Sequence, residues 1–166
     1  MPLLSVPVHL LATLLTDLPL DKTRFRGLLM DVAQSVVAGN IQQDGYWASH
    51  LFGNAEWDTE EREIKVQCRK ANTAHPAALV ELQKQGFRPV NALEFTCSID
   101  REAQLDAWSL LGAYAEVVQG WAVTTYMDFD EAAGHLGHEE GLLHAPVGGR
   151  KKGVLIAANQ LKALCG

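Results

Sequence analysis

The sequence predicts an α+β fold, a mainly antiparallel sheet with helices packed on one face. Three observations lead there. Several short segments alternate apolar and polar residues, the two-residue period of a half-buried strand. Two longer segments repeat apolar residues at helical spacing and end at glycine. With 166 residues, nearly half of them hydrophobic, the chain fits one domain with a sizeable core.

Leu4, Val6, Val8 and Leu10 alternate as a first strand. Pro7 cannot donate to a ladder, so the strand is expected at an edge or bulged. The apolar run Leu3 to Leu15 is too short to span a bilayer and lacks the basic start of a signal peptide. Asp21 is the expected N-cap of a helix whose apolar face carries Phe25, Leu28, Leu29, Val32, Val36 and Val37. Gly39 and Asn40 stop it.

Asp44-Gly45 signals a turn, and Tyr46 to Phe52 reads as a strand. A polar connection over Gly53 to Glu61 leads into a second strand, where Ile64, Val66 and Cys68 alternate with Lys65, Gln67 and Arg69. The two strands form a hairpin with an acidic tip. Pro76 suits the first turn of a helix that turns Leu79 and Leu82 inward and ends at Gly86. Leu93, Phe95, Cys97 and Ile99 mark the next strand. Asp100 caps the second clear helix, with Leu105, Trp108, Leu111, Ala115 and Val118 inward and Gly120 closing it. A strand then runs from Trp121 to Met127 and ends at Asp128.

The order is βαββαβαβ plus a C-terminal tail, in a single domain spanning 1–166. Its core is 1–129, and the tail, 130–166, contains several glycines and histidines and has room for a short helix or strand around Val154 to Leu164. The first six elements have the order of a ferredoxin-like split βαβ unit.

Composition narrows the function. A formal net charge of −6 argues against binding nucleic acid through a general basic surface. Three cysteines, Cys68, Cys97 and Cys165, match no zinc spacing and make no complete disulfide set, which suits buried thiols in a reducing cytoplasm.

Catalytic motifs do not stand out. His135, His138 and His144, with Glu139 and Glu140, offer metal-ligand chemistry. Their spacing is not H-E-x-x-H, because Leu142 stands where the second histidine should fall, and a solvated loop explains them as well. A metal-binding protein or hydrolase built on these histidines is the alternative reading, beside a regulatory or scaffold module. Gly148 to Gly153 is glycine-rich and basic but lacks the phosphate-loop pattern. His50 and His75 have no identifiable catalytic partner, and Trp108 and Trp121 fit core positions. No cofactor is implied.

Charge distribution says more. Glu56, Asp58, Glu60, Glu61 and Glu63 are opposed only by Arg62 and surround Trp57. Asp128, Asp130, Glu131, Glu139 and Glu140 form a second acidic stretch. Such runs keep a protein soluble, and they also steer a basic partner. An aromatic among carboxylates is a natural hot spot. The expected partner-binding residues are Glu56, Trp57, Asp58, Glu60 and Glu61 at the tip, with Asp128, Asp130 and Glu131 next.

Leu110-Leu111-Gly112-Ala113-Tyr114-Ala115-Glu116, followed by Gly120-Trp121-Ala122-Val123 and Asp128-Phe129, resembles the C-terminal part of small bacterial immunity proteins of polymorphic or contact-delivered toxins. Gly86-Phe87-Arg88-Pro89 with its following strand is similar too, so the resemblance covers residues 86–130. It implies a small cytoplasmic α/β protein that is not an enzyme. Such a protein binds one cognate toxin, expected to present a basic surface, by occluding its active site or substrate groove. It brings no catalytic residues with it, and no nucleic acid or membrane partner.

Overall fold

A computed structural model describes residues 4–5, 8–28, 40–44, 47–52, 60–73, 76–98, 101–125, 143–146 and 152–158. The strands are β1 (Leu4–Ser5), β2 (Val8–Thr16), β3 (Asn40–Asp44), β4 (Trp47–Phe52), β5 (Glu60–Lys70), β6 (Asn91–Ser98), β7 (Trp121–Thr125), β8 (Leu143–Pro146) and β9 (Lys152–Ala157). The helices are α1 (described over 22–28), α2 (Pro76–Lys84) and α3 (Arg101–Val118), with a 3-10 turn at Ala71–Thr73. Among the described residues, no helix is long and apolar enough to cross a membrane.

The strands join in one sheet, in the order β3-β4-β5-β6-β2-β7-β9-β8. Every neighbour along that path is antiparallel; β1 adds a short parallel pairing to the start of β5. The fold is α+β with a mainly antiparallel sheet. A split βαβ unit would put β2 between β5 and β6. Here β5 pairs β6 directly and β2 lies beyond β6, so the ferredoxin-like order does not hold.

The expected first strand is two strands, and β2 is central rather than an edge. Pro7, where the bulge was expected, lies outside the described residues; β2 has a bulge of its own between Leu10 and Ala12. A bulge leaves one residue out of the ladder. The buried Thr124 hydroxyl donates to the Leu11 carbonyl at 2.9 Å, which satisfies it. The helix-end signals at Asp21 and Gly86 hold, while Gly39 and Asp100 lie outside the described residues. Asp21 Oδ1 accepts the Arg24 N–H at 2.8 Å, the bond of an N-cap to the third helical residue. After α2, Phe87 N–H donates to the Leu82 carbonyl and Gly86, at φ 77°, takes the left-handed position of a Schellman motif. At the end of α3 it is Gln119, at φ 59°, that turns left-handed. Gly120 has a different task. At φ 109° its missing Cβ leaves room for the Leu15 backbone carbonyl.

Two apolar clusters form, and neighbouring residues fall into different ones. Leu14, Leu93, Ala122 and Ile156 belong to the first; Leu15, Ala92, Val123 and Leu155 belong to the second. Successive strand residues point to opposite faces, so the clusters lie on opposite sides of the sheet. The first face buries Phe25 and Leu28 of α1 and Trp108, Leu111, Tyr114 and Ala115 of α3 against Ile64, Val66, Phe95 and Cys97. Phe95 and Tyr114 meet edge to face at 5.5 Å. On the second face, α2 buries Ala78 and Leu82. Helix packing on the first face is as expected; α2 adds a smaller layer behind the sheet.

The C-terminal tail contributes to the body of the fold. β9 pairs with β7, and its Leu155 and Ile156 are fully buried, one on each face. The unexpected strands, β3 and β8, are short and polar or interrupted by proline, and so carry no alternating apolar stripe.

Candidate interaction face

Among the described residues, the second face is only partly covered. A nine-residue helix such as α2 is ~13.5 Å long and ~10 Å across, while strands repeat every ~4.8 Å. It therefore shields a few strands. Its apolar side sits over Leu15, Ala92, Val123 and Leu155. The part of the same face formed by Glu63, Lys65, Gln67 and Arg69 of β5 and by Glu94 and Thr96 of β6 has no helix over it among the described residues. All six of these side chains are half-buried or exposed, whereas Ile64, Val66, Cys68, Phe95 and Cys97 between them are buried.

The register shows that these residues share a surface. Lys65 stands opposite Thr96, and Gln67 opposite Glu94. Arg69 reaches diagonally across the ladder to pair with Glu94 at 3.0 Å, and its guanidinium lies 3.5 Å from the Gln67 side-chain Oε1. On β2, Leu10 stands opposite Thr96 and is 43% exposed, so the polar face carries an apolar point beside it. Two acidic and two basic residues balance its charge. A flat, rigid, mixed surface of this kind is suited to contact with another protein, where complementary charges set register and specificity.

The acidic segment joins this face at one end. The β5–β6 pairing stops at Ile64 and Cys97, and the Ser98 hydroxyl then takes over, accepting the Glu63 N–H at 2.9 Å and donating to the Glu63 carbonyl at 3.4 Å. Beyond that point β5 pairs with β1, with Leu4 opposite Glu60 and Ser5 opposite Glu61. Glu60 and Glu61 thus belong to a strand and not to the polar connection expected over Gly53 to Glu61. A fixed backbone presents them within a few residues of Glu63 and Lys65.

Other expected site residues are distributed as follows. Glu56, Trp57 and Asp58 lie outside the described residues, as do Asp128, Asp130, Glu131, His135, His138, Glu139 and Glu140. His144 is on β8, opposite Val154. Among the described residues, no group of three or more His, Cys, Asp and Glu side chains is placed to hold a metal ion. His50 is on β4, opposite Ile64.

Cys68 and Cys97 are buried free thiols, as expected. Burial pushes the Cys68 thiol up to about 11, so it is protonated and unreactive near neutrality. Trp108 is buried in the first core, and Trp121 is half-buried against the second. The Tyr114 hydroxyl and Trp108 indole N–H are buried with no hydrogen-bond partner among the described residues. Desolvation holds the Tyr114 phenol well above its usual range.

The family-like residues occupy structural positions. Leu110, Leu111, Tyr114 and Ala115 are core residues of α3, Gly120 accommodates the Leu15 carbonyl, and Phe87 completes the end of α2. They describe a scaffold and name no contact surface. No protein-family model, curated protein or solved structure matches the chain.

The polar residues Gln67, Glu94 and Thr96 were not among the expected site residues. Their signal is the alternation itself, which sequence reading assigns to a solvated face. Among the described residues, the small size of α2 on that side shows how much of the face no helix covers.

Proposed function

We propose that the chain is an immunity protein that binds one cognate bacterial toxin in the cytoplasm and neutralises it by occluding its active site or substrate groove. The observation that carries this reading is the part of the second sheet face over which no described helix lies, on the same strand as the acidic start of β5. A rigid sheet presents Lys65, Gln67, Arg69, Glu94 and Thr96 as a preformed contact surface, so little ordering entropy opposes binding. The acidic residues Glu60, Glu61 and Glu63 adjoin it and would draw in a toxin whose groove is basic. Trp57 and its acidic neighbours extend the same segment in sequence. The resemblance over residues 86–130 supports the same class.

The reading is tested by co-expression with the toxin-like product of the neighbouring reading frame. Protection of the cells, with a one-to-one complex on gel filtration, is the expected outcome. Charge reversal at Glu60 and Glu61 should slow association, and the effect should shrink as salt rises. Failure to protect, with no complex formed, contradicts the assignment.

A further inference from the structure

On the opposite face from the proposed interface, the connection between β2 and α1 passes the ends of β5 and β6. An open cleft of about 800 Å³ lies there. That is within the ~300–1,000 Å³ range of small-molecule sites.

Its frame is fixed by one buried side chain. Asn91 Oδ1 accepts the Leu20 N–H at 2.8 Å, and its Nδ2 donates to the Arg69 carbonyl at 3.1 Å. The amide therefore ties the connection to β6, 71 residues away in sequence, and to the neighbouring β5. The cleft is preformed, and Asn91 has its principal groups engaged in holding it.

The remaining chemistry is apolar at the base and cationic at the mouth. Leu20 and Cys68 form the buried base, and Val90, 47% exposed, forms an apolar wall. Arg24 and Lys70 are exposed at the mouth. Arg69 also lines the cleft, but its guanidinium is across the sheet on Glu94. Asp21 is the acidic residue of the lining, and its Oδ1 already accepts the Arg24 N–H. Arg24 donates one guanidinium N–H to the Pro19 carbonyl at 3.2 Å, and the two cationic side chains exposed at the mouth favour an anion.

The backbone narrows the ligand further. The N–H groups of Leu18, Leu20, Arg24, Ala71 and Val90 all have acceptors. Those five amides have no donor left for a phosphate or an added peptide strand, so recognition falls to the side chains at the mouth. The geometry points to a binding site for an organic monoanion with an apolar body, a carboxylate or sulfonate. Its body rests on Leu20, Cys68 and Val90, and its charge sits between Arg24 and Lys70. The neutral Cys68 thiol is a packing surface in this site and takes no covalent part. The site does not depend on the proposed toxin contact, which uses the other face.

The test is a fluorescence titration of the full chain with 8-anilinonaphthalene-1-sulfonate, against the uncharged N-phenyl-1-naphthylamine, which has the same ring system. One saturable site per chain is expected, with the sulfonate bound at least tenfold more tightly than the amine. The double variant Arg24→Ala/Lys70→Ala, changed only at exposed positions, should weaken sulfonate binding at least tenfold with an unchanged melting temperature. Val90→Trp should block it by filling the cleft. Absence of a saturable site overturns the assignment. So does sulfonate binding that the double variant leaves at wild-type strength, since the dye would then be held elsewhere.

Discussion

On one face of the sheet, Ile64, Val66, Phe95 and Cys97 are sealed under α1 and α3. One residue away along the same two strands, Lys65, Gln67, Glu94 and Thr96 keep contact with solvent on the other face. The strands are shared, so backbone pairing cannot account for the difference. It comes from helix length. The 18 residues of α3 span ~27 Å and cover their face broadly, while α2 is half as long. Where a covering helix exists, side chains are large and apolar. Where it stops, the face turns polar within the same strand. The covered regions hold the fold together, and among the described residues the polar region carries little of that load.

The largest effect expected from this division is at Gly120, where both covered layers meet the end of α3. Gly120→Ala drives a Cβ into the Leu15 backbone and strains a φ of 109°. A loss of about 4 kcal/mol or more, or failure to fold, should appear in urea unfolding. A loss under about 1 kcal/mol would show that the β2–β7 junction is looser than described.

Asn91→Ala comes next. It strands a buried Leu20 N–H and the Arg69 carbonyl, and should cost about 2–3 kcal/mol.

Cys68 gives the same contrast through pH. Below about pH 9.0 the thiol is protonated in both folded and unfolded chains, and the shift has no effect. Between 9.0 and about 11 only the unfolded chain ionises, so stability should fall across that window. Cys68→Ser at this buried site should flatten that dependence. An equally steep decline in the variant would assign it to other groups.

The smallest effect belongs to the open half. Arg69→Ala removes an exposed ion pair with Glu94, and thermal unfolding should register under about 0.5 kcal/mol.

Much of this was legible in sequence, and the failures have physical causes. The apolar stripes of β5 and β6 marked strands because one face is buried and the period is two. Asp21 and Gly86 marked helix ends because caps satisfy orphan backbone groups locally. Strand order was not legible. It depends on which edges meet, and nothing in the spacing of β2 says that it sits between β6 and β7. β3 was missed because Asn40–Asp44 has only Ile41 as an apolar residue, so its strand conformation rests on pairing with β4. The acidic segment was visible as charge, but the strand conformation of Glu60 and Glu61 depends on β1, far away in the chain. The open face was visible only as an ordinary wet face, since its significance lies in a helix that ends early.

Phe95 and Thr96, neighbours on β6 that face opposite ways, allow the division of labour to be measured directly. Phe95→Ala and Thr96→Arg would be compared for thermal stability and for binding to the toxin proposed as the partner. Phe95→Ala should lose about 3–5 kcal/mol of stability. Thr96→Arg should melt within about 0.5 kcal/mol of wild type, yet bind the toxin at least tenfold more weakly. A Thr96→Arg variant that is folded and binds as tightly as wild type would contradict the account.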